Sequence, residues 1–451
     1  MRLTLENWSR QRHELNMCFG IGGRTVAKRY VYPDVDLIDL ERRYGRESLE
    51  RVYFHLMAFG AIPLASARPD SIAFGPLARF HTPAFAVLWR AVFRNISAQW
   101  RYENDLADYQ GPEFEDALRG DDMGPLEIEP GPIDTLSFSG GGKDSLVAMK
   151  LLERAGLPFA SFAYSHPAYG PAAPQHALID YLGDATAARR RHRLRIEGGI
   201  AKSPLCAETP AAVMAALPVV LAHGYRYLAI GHERSADAAN LYWKQAGEAV
   251  NHQWAKSLEA ELLMARYLRT HLADLSYFSL LKPIHDVVIF NLLHDDLDAV
   301  ERAHSCNRRK PWCQRCPKCA YVWLNYMAWL PQDCVRRMFP DNLFEMPENR
   351  RWFRQLMGIG EHKPFECVGE IAESRLAFAL CRRKGLRGEF ADACAAELSP
   401  DTAPLPHYFT VHRTPQTIPA LFAERVYPQM ERGAARARDH MKPGTDGTFP
   451  P

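Results

Sequence analysis

The hydrophobic pattern divides the chain into a helix-rich first part and a longer part in which strands and helices alternate. Within residues 1–130, apolar side chains at 49–57 and at 85–100 recur at helical spacing, so each stretch predicts an amphipathic helix that faces a core. Residues 111–132 are acidic, contain four prolines and predict a linker. We therefore expect a separate N-terminal domain over residues 1–130, mixed but mainly helical.

Beyond residue 134 the period of the pattern changes repeatedly. Short apolar runs predict strands at 135–139, 159–164, 192–196 and 227–230. Helical patterns follow at 146–155, 211–221, 258–272 and 320–330. This alternation is typical of an α/β domain with a parallel sheet, which we expect over residues 131–432. Residues 433–451 are rich in Arg, Gly and Pro with little to bury, and they predict a mobile tail.

The segment after the first of these strands predicts a phosphate-binding loop. Residues 139–145 read Ser-Gly-Gly-Gly-Lys-Asp-Ser and lead directly into a helix. Glycines let the backbone approach an anion closely, and the helix start offers free N–H groups and a positive dipole end. Lys143 adds a cation, and Asp144 suits a Mg²⁺ ion on bound phosphates. The candidate nucleotide-binding residues are Ser139, Gly140, Gly141, Gly142, Lys143, Asp144 and Ser145.

This loop is not a Walker A motif, which requires Gly-x-x-x-x-Gly-Lys-Ser/Thr. It resembles the pyrophosphatase loop (PP-loop) of the N-type ATP pyrophosphatases, usually Ser-Gly-Gly-x-Asp-Ser. Aligned on Asp144, Gly140 occupies the usual serine position and Ser139 comes one residue early. The resemblance implies a PP-loop fold, with ATP cleaved between its α and β phosphates to leave an adenylated substrate.

Two polar segments follow the fourth predicted strand. Residues 231–237 read Gly-His-Glu-Arg-Ser-Ala-Asp, and residues 251–257 read Asn-His-Gln-Trp-Ala-Lys-Ser. Because ligands of parallel sheets bind beyond the carboxyl ends of the strands, we expect both segments to face the glycine loop. Arg234 suits a carboxylate or phosphate, and Lys256 adds a cation before a helix. His252 has the intrinsic pKa for proton transfer near neutrality.

Composition narrows the class of protein. Hydrophobic residues make up 47% and charged residues 24% of the chain, as in an ordinary globular protein. The net charge of +2 disfavours nucleic acid as the main partner. No apolar run reaches the length of a membrane span, and residues 1–30 lack the apolar core of a signal peptide. We expect a cytoplasmic protein with reduced thiols and no membrane partner.

Four of the ten cysteines lie within fourteen residues, at Cys306, Cys313, Cys316 and Cys319. Their spacing, Cys-x₆-Cys-x₂-Cys-x₂-Cys, predicts a tetrahedral zinc site, which would be structural because four protein ligands leave no open position. Reduced cysteines without a metal and an iron–sulfur cluster are the alternatives. Cys306 is the outlier in spacing, so it could instead face the active site as an acid or base.

The motifs in their order along the chain resemble one family. They are 140–145, 231–237, 251–257, Tyr-Phe-Ser-Leu-Leu-Lys-Pro at 277–283, Ser-Cys-Asn at 305–307, Trp-Cys-Gln-Arg-Cys-Pro-Lys-Cys at 312–319 and Lys-Pro-Phe-Glu-Cys-Val-Gly at 363–369. This set is similar to the UDP-N-acetylmuramoyl-L-alanyl-L-glutamate epimerase family, called MurL. The resemblance covers about residues 131–385.

The resemblance implies an ATP-dependent inversion, in peptidoglycan synthesis, of the terminal L-Glu of UDP-MurNAc-L-Ala-L-Glu to D-Glu. Adenylation removes the carboxylate charge and acidifies the Cα–H bond, so that a base can abstract the proton. On this reading Lys143 neutralises diphosphate, Asp144 holds Mg²⁺ with Asp237 or Glu233, and His252 or Cys306 is the base. The expected substrate-binding residues are Glu233, Arg234, Lys256, Arg308 and Lys363.

Three other functions remain open at this point. A deazaguanine-nitrile synthase pairs the same loop with four cysteines, but it is shorter and has no counterpart to residues 1–130. A tRNA-modifying enzyme would present a basic face, which the near-neutral charge does not favour. A regulatory protein could bind ATP without turnover, and retention of Asp144 and Ser145 argues against that.

Overall fold

The computed structural model describes residues 1–119, 123–200, 203–205, 208–360, 362–398 and 406–442. Its strands are β1 Arg2–Arg10, β2 Glu14–Ile21, β3 Arg24–Val31, β4 Ser71–Ala73, β5 Glu113–Phe114, β6 Thr135–Phe138, β7 Phe159–Ser165, β8 Arg191–Gly198, β9 Tyr227–Ile230, β10 Leu241–Trp243, β11 Glu248–Val250 and β12 Ser276–Ser279.

The α-helices of the same residues lie on both faces of the main sheet. They are α1 Leu37–Tyr44, α2 Arg46–Gly60, α3 Pro83–Ile96, α4 Ala98–Glu103, α5 Lys143–Arg154, α6 Ala172–Gly183, α7 Glu208–His223, α8 Leu258–Tyr267, α9 Asp286–Leu292, α10 Leu297–Val300, α11 Pro317–Trp329, α12 Gln332–Met338, α13 Arg350–Leu356, α14 Ile371–Arg383, α15 Glu389–Glu397 and α16 Ala420–His440. Among these described residues, no helix is both long and apolar enough to cross a membrane.

The main sheet has ten strands in the order β12-β9-β6-β7-β8-β3-β2-β1-β4-β5. The first five of these strands run parallel, and β3 joins β8 in antiparallel register. Neighbouring residues of β9, Leu228 and Ala229, belong to different core clusters, so each face of the sheet buries its own core. The expected α/β class is confirmed, and the predicted strands correspond to β6, β7, β8 and β9.

The N-terminal part begins with strands that the pattern did not predict and continues with helices. The predicted helices are present as α2, α3 and α4, but residues 2–31 form three antiparallel strands that extend the main sheet through β3 and β8. Leu3 and Leu5 on β1, and Leu15, Met17 and Phe19 on β2, are buried at a period of two. This alternation places every second side chain against the core. The segment pairs as strands because a β-strand has the same period.

The expected mobile tail is wrong for residues 433–442. Helix α16 continues to His440, and Gly433 packs so closely on α9 that an added Cβ would lie 2.8 Å from Leu292 Cγ. The Arg436 guanidinium donates to the Asn291 carbonyl at 2.8 Å. Small residues on one side of α16 let it pack closely against α9. Composition does not reveal this, because it does not show which residues share a helix face. Residues 443–451 lie outside the described residues.

Candidate active site

The glycine loop joins β6 to α5 and is shaped by a segment distant in sequence. Gly141 has a φ of +81°, and a Cβ there would lie 2.0 Å from His304 Nε2. A Cβ on Gly142 would lie 2.6 Å from Ser305 Oγ, and the His304 N–H donates to the Gly141 carbonyl at 2.7 Å. The loop therefore requires glycine at both positions, because residues 304–305 press directly against it.

Gly142 is the N-cap of α5, and no side chain caps this helix. The hydroxyl of Ser145 donates back to the Gly142 carbonyl at 3.1 Å and so closes the turn. First-turn N–H groups of a helix have no partner within the helix, and the dipole makes that end attractive to an anion. The start of α5 thus has the chemistry of a phosphate site.

A cavity of about 480 Å³ opens at this helix start. One part of its wall is formed by Ser139, Gly140, Gly142, Asp144 and Ser145. Another part is formed by His252, Lys256, Glu366 and Cys367, with Lys310 and Lys318 nearby on the lining. Its volume lies in the usual range for small-molecule sites, and its lining carries three lysines together with three carboxylates, at Asp144, Glu208 and Glu366.

His252 is one of three histidines among the described residues of the cavity lining, with His232 and His304. Its Nδ1 lies 2.6 Å from the Oε1 atom of Gln99 on α4. Because an amide oxygen accepts hydrogen bonds, Nδ1 carries the proton and Nε2 keeps its lone pair. Burial lowers the pKa of His252, although Glu366 partly opposes the shift. A neutral imidazole with a free lone pair can act as a base.

Cys367 and Glu366 lie beside that imidazole. The Cys367 sulfur, a carboxylate oxygen of Glu366 and a ring nitrogen of His252 all lie within 4.8 Å of one another. Burial raises the pKa of Cys367, against the opposing effect of Lys256. The cavity therefore carries a thiol–imidazole pair as well as an anion site.

The four clustered cysteines form a compact group behind the loop. Cys306 and Cys316 have their sulfurs 3.8 Å apart, and Cys313 and Cys319 have theirs 3.9 Å apart. Four thiolates about 2.3 Å from one zinc ion would be about 3.8 Å apart, so the group could bind zinc. The Arg309 and Cys319 N–H groups point at thiol sulfurs at 3.4 Å, as at metal thiolates. Cys306 is fully buried within this cluster, away from the cavity lining.

Comparison with known proteins agrees with this geometry. Three curated relatives are named UDP-N-acetyl-alpha-D-muramoyl-L-alanyl-L-glutamate epimerase. The one from Micromonospora sp. is 31% identical over 316 residues, which span 66% of this chain and 67% of the relative. The one from Salinispora tropica is 31% identical over 337 residues, 71% of each chain. The third, from Xanthomonas oryzae pv. oryzae, is 30% identical over 310 residues, 65% of this chain and 66% of the relative.

Family models for the MurL N-terminal domain and the MurL C-terminal domain match residues 67–280 and 299–398. The chain belongs to the MurL family. In this MurL chain the N-terminal match includes the glycine loop and His252, whereas the C-terminal match includes the four cysteines and Cys367. No solved structure matches the chain.

Lys143 does not face the cavity of this MurL protein. Its side chain is 1% exposed and pairs with Asp144 and with Asp286 on α9, while its ammonium lies 4.8 Å from the centroid of the Phe290 ring. Burial by itself would lower the pKa of Lys143, but Asp144, Asp286 and Glu233 outweigh it and raise the pKa. Lys143, which the sequence predicts to neutralise bound phosphates, therefore lies beneath the glycine loop and does not face the cavity.

Lys256 is the predicted cation that does line the cavity. Its ammonium lies 4.0 Å from Glu233 Oε1. Burial opposes its charge, but Cys367, Glu233 and Asp144 outweigh burial and raise the pKa of Lys256. A protonated lysine therefore lies on the same cavity lining as the thiol and the start of α5.

Other predicted binding residues of this MurL chain serve different contacts. Asp237 is exposed and accepts hydrogen bonds from Lys282 Nζ at 3.0 Å and from the Leu258 N–H at 2.8 Å, which caps α8. Glu233 is buried, and opposing effects of burial and of Lys256 leave its pKa lowered. The described residues that line the cavity include neither of these two carboxylates.

The remaining predicted residues also lie off the described cavity lining. Arg234 is half-buried, and its backbone N–H donates to the Ile284 carbonyl at 2.9 Å. The Arg308 guanidinium stacks 5.7 Å from the centroid of the Trp352 ring. Lys363 is buried and donates to the Ala238 carbonyl at 2.9 Å, and burial lowers its pKa. Lys363 holds the segment that carries Glu366 and Cys367.

Three residues of the site went unnoticed in the sequence. Gln99 comes from a predicted core helix and carries no local signal for a site. Asp286 begins a helix, and only the fold brings it to Lys143. Cys367 could have been found, because it lies in the motif at 363–369 beside a carboxylate.

Proposed function

We propose that this chain is an ATP-dependent epimerase that converts the terminal L-Glu of UDP-MurNAc-L-Ala-L-Glu to D-Glu. The observation that carries the proposal is that one cavity joins an uncapped helix N-terminus to a neutral imidazole. The first feature suits the phosphates of ATP and the second suits proton removal. The names of the three relatives support the same reaction.

The chemistry follows from the charge on the reacting carboxylate. A carboxylate anion next to Cα makes the Cα–H bond a very weak acid. When a carboxylate oxygen attacks the α-phosphorus of ATP, diphosphate leaves and the new acyl-adenylate carries no charge on its acyl group. The Cα proton can then pass to a base and return to the other face. Water finally cleaves the acyl group from AMP and releases UDP-MurNAc-L-Ala-D-Glu.

The cavity residues divide this work. The first-turn N–H groups of α5, with Gly140 and Ser139 on the lining, are placed for phosphate oxygens. Lys256, Lys310 and Lys318 supply positive charge there. Asp144 fits a magnesium ligand, since its carboxylate lines the cavity with 14% of the side chain exposed. A bound Mg²⁺ would neutralise part of the phosphate charge.

His252 is our assignment for the base at Cα. Gln99 holds its ring and its tautomer, and burial lowers its pKa, so that the imidazole is neutral at pH 7. Zinc on the four cysteines has a structural role in this proposal. It would hold Cys306, and with it His304 and Ser305, which press on the glycine loop, against the start of α11.

The test is an incubation of the purified protein with ATP, Mg²⁺ and UDP-MurNAc-L-Ala-L-Glu in D₂O. We expect one AMP per turnover, deuterium at the glutamate Cα and D-Glu after hydrolysis. AMP without inversion would contradict the epimerase and favour a ligase or hydrolase that uses the same loop. Absence of AMP would contradict the adenylation step.

A further inference from the structure

The role of Cys367 is not explained by the steps above. Its thiol lies on the cavity wall together with His252 and Glu366, and all three reacting atoms lie within 4.8 Å of one another. The glycine loop lines the same cavity, so an adenylated carboxyl bound there would be adjacent to the thiol. A thiol in that position can transfer a proton, bind a metal or attack a carbonyl carbon.

Distance argues against Cys367 and His252 as an acid and base on opposite faces of Cα. Reacting atoms in a productive complex are about 3–3.5 Å apart, so two groups that flank one carbon would be about 6–7 Å from each other. The Cys367 sulfur lies within 4.8 Å of a ring nitrogen of His252. The pair therefore approaches the substrate from one side, as a nucleophile and its base do.

Metal binding also fits these contacts poorly. Glu366 Oε1 already accepts hydrogen bonds from Asn307 Nδ2 at 2.7 Å and from the Cys367 N–H at 2.9 Å. The Nδ1 atom of His252 is engaged with Gln99. Each side chain is thus oriented by neighbours within the protein.

The surroundings of the thiol match those of an activated nucleophile. Such a site has a nucleophile next to a base, and a third group that orients the base. Here Cys367 lies next to His252, and Gln99 orients His252 through Nδ1 so that Nε2 can take a proton. Burial outweighs the nearby Lys256 ammonium and raises the pKa of Cys367, so the resting group is the thiol and His252 has to take its proton.

We infer that Cys367 is an acyl acceptor that forms a thioester with the adenylated glutamate. The sulfur attacks the acyl carbon, the carbon–oxygen bond to the phosphate breaks, and AMP leaves with the electron pair. The thiol proton passes to His252, which releases it to solvent so that the neutral imidazole can then take the Cα proton. Inversion at Cα takes place on the thioester, and water then cleaves the carbon–sulfur bond and returns the thiol. The inference rests on the proposed adenylation and inserts one step between activation and hydrolysis.

A thioester would solve two problems of the reaction. The acyl group stays uncharged after AMP has left, so the Cα proton remains acidic. The substrate is also tethered while Cα is planar, which prevents its loss before the proton returns. These advantages require no residue beyond those on this wall.

The test compares the wild type with Cys367→Ala and with a control, Cys18→Ser, whose thiol lies on β2 outside the described cavity lining. Each protein is mixed with ATP, Mg²⁺ and UDP-MurNAc-L-Ala-L-Glu, quenched in acid within the first turnover and digested for mass spectrometry. For the wild type and the control we expect the acyl group on the peptide that contains Cys367, released by hydroxylamine. Cys367→Ala should keep ATP–diphosphate exchange and lose D-Glu formation by roughly 10³-fold or more.

Further measurements separate folding, metal binding and adenylation. Thermal melting and zinc content should match the wild type in Cys367→Ala, and a loss of zinc would overturn the inference in favour of a metal site. D-Glu formation by Cys367→Ala near the wild-type rate would overturn it as well, as would D-Glu formation by the wild type without any adduct. A wild type without ATP–diphosphate exchange would contradict the proposed function and, with it, this inference.

Discussion

The ammonium of Lys143 pairs with the carboxylate of Asp286 beneath the glycine loop, and each side chain is 1% exposed. The hydroxyl of Tyr321 donates to the other oxygen of Asp286 at 2.6 Å. Lys143 and Asp286 are the first residues of α5 and α9, so the pair joins two helix starts. The cation beside the glycines therefore supports the loop from below.

Removal of Asp286 should destabilise the protein strongly. Asp286→Ala leaves the buried Lys143 with one carboxylate fewer, and breaking a buried pair costs about 3–5 kcal/mol. Urea unfolding should give this loss. The control is Glu113→Ala, which removes an exposed pair with Arg90 and should change the free energy of unfolding by about 0–1 kcal/mol. Equal effects of the two substitutions would contradict the supporting role of the pair.

Gly141 and Gly140 should respond differently to alanine. At Gly141 the positive φ and the contact with His304 both oppose a Cβ, so Gly141→Ala should destabilise the protein by about 1–3 kcal/mol. At Gly140 no heavy atom lies within 4 Å of an added Cβ, so Gly140→Ala should fold normally. Its methyl group would project into the cavity and weaken ATP binding. Urea unfolding and ATP titration measure the two effects, and identical unfolding curves would refute the difference.

Isosteric substitution can distinguish the role of the Asp144 carboxylate from that of the Asp237 carboxylate. Asp144→Asn removes a carboxylate from the cavity lining and one partner of the buried Lys143, so urea unfolding is measured beside activity, and ATP–diphosphate exchange by the folded variant should fall by roughly 10²-fold or more. Asp237→Asn alters an exposed carboxylate that caps α8, so exchange should remain. A magnesium titration of both variants shows whether higher metal concentration restores exchange. Full exchange in Asp144→Asn would exclude it as the magnesium ligand.

Zinc should be present at one ion per chain and should stabilise the fold. Cys316→Ser removes one sulfur of the cluster, so zinc should be lost and the melting temperature should fall. Cys334→Ser is the control, because Cys334 is buried on α12 outside the cluster and should leave the zinc content unchanged. Elemental analysis and thermal melting provide the readout. Iron in place of zinc, or an unchanged melting temperature after chelation, would contradict a structural zinc site.

Because of Glu373, the free energy of unfolding should fall as the pH rises. Burial, then Asp286 and Glu370, raise the pKa of Glu373 from 4.5 to about 8. Between these values the unfolded chain ionises freely while the folded protein keeps the proton, so the free energy of unfolding falls with pH. Below pH 4.5 both states hold the proton and the penalty disappears.

Substitution of Glu373 by Gln tests this directly. Gln resembles the protonated acid, so Glu373→Gln should flatten the decline in unfolding free energy between about pH 5 and pH 8. The exposed Glu424 provides the control, since Glu424→Gln should keep the wild-type slope. An unchanged slope in Glu373→Gln would show that the carboxyl ionises normally in the folded protein.

Local sequence patterns were sufficient to predict the strand and the helix next to the glycine loop. The strand before it and the helix after it are marked by short-range apolar spacing and by the glycines themselves. The same was true of α2, α3 and α11. The strands of residues 2–31 were not predicted, although Leu15, Met17 and Phe19 alternate with less buried residues, and on β1 the register shifts between Leu5 and Asn7. Their pairing with β8 depends on residues more than 150 positions away.

The sequence predicted the functional residues of the site less well than the strands and helices near them. Composition and motif order identified Asp144, His252 and Lys256, all of which line the cavity. They also identified Lys143, whose burial against Asp286 has no local signature. The tautomer of His252 depends on Gln99, a residue 153 positions earlier on α4.

The sequence by itself determined the α/β class, the glycine loop, the compact spacing of four cysteines and membership of the family. These features depend on neighbouring residues, whose spacing along the chain dictates backbone geometry and ligand distance. Only the tertiary structure decided which cation faces the cavity, which cysteine meets His252 and which carboxylate supports the loop. Those outcomes depend on the direction and burial of side chains from distant elements, because charge and hydrogen bonding act through space rather than along the chain.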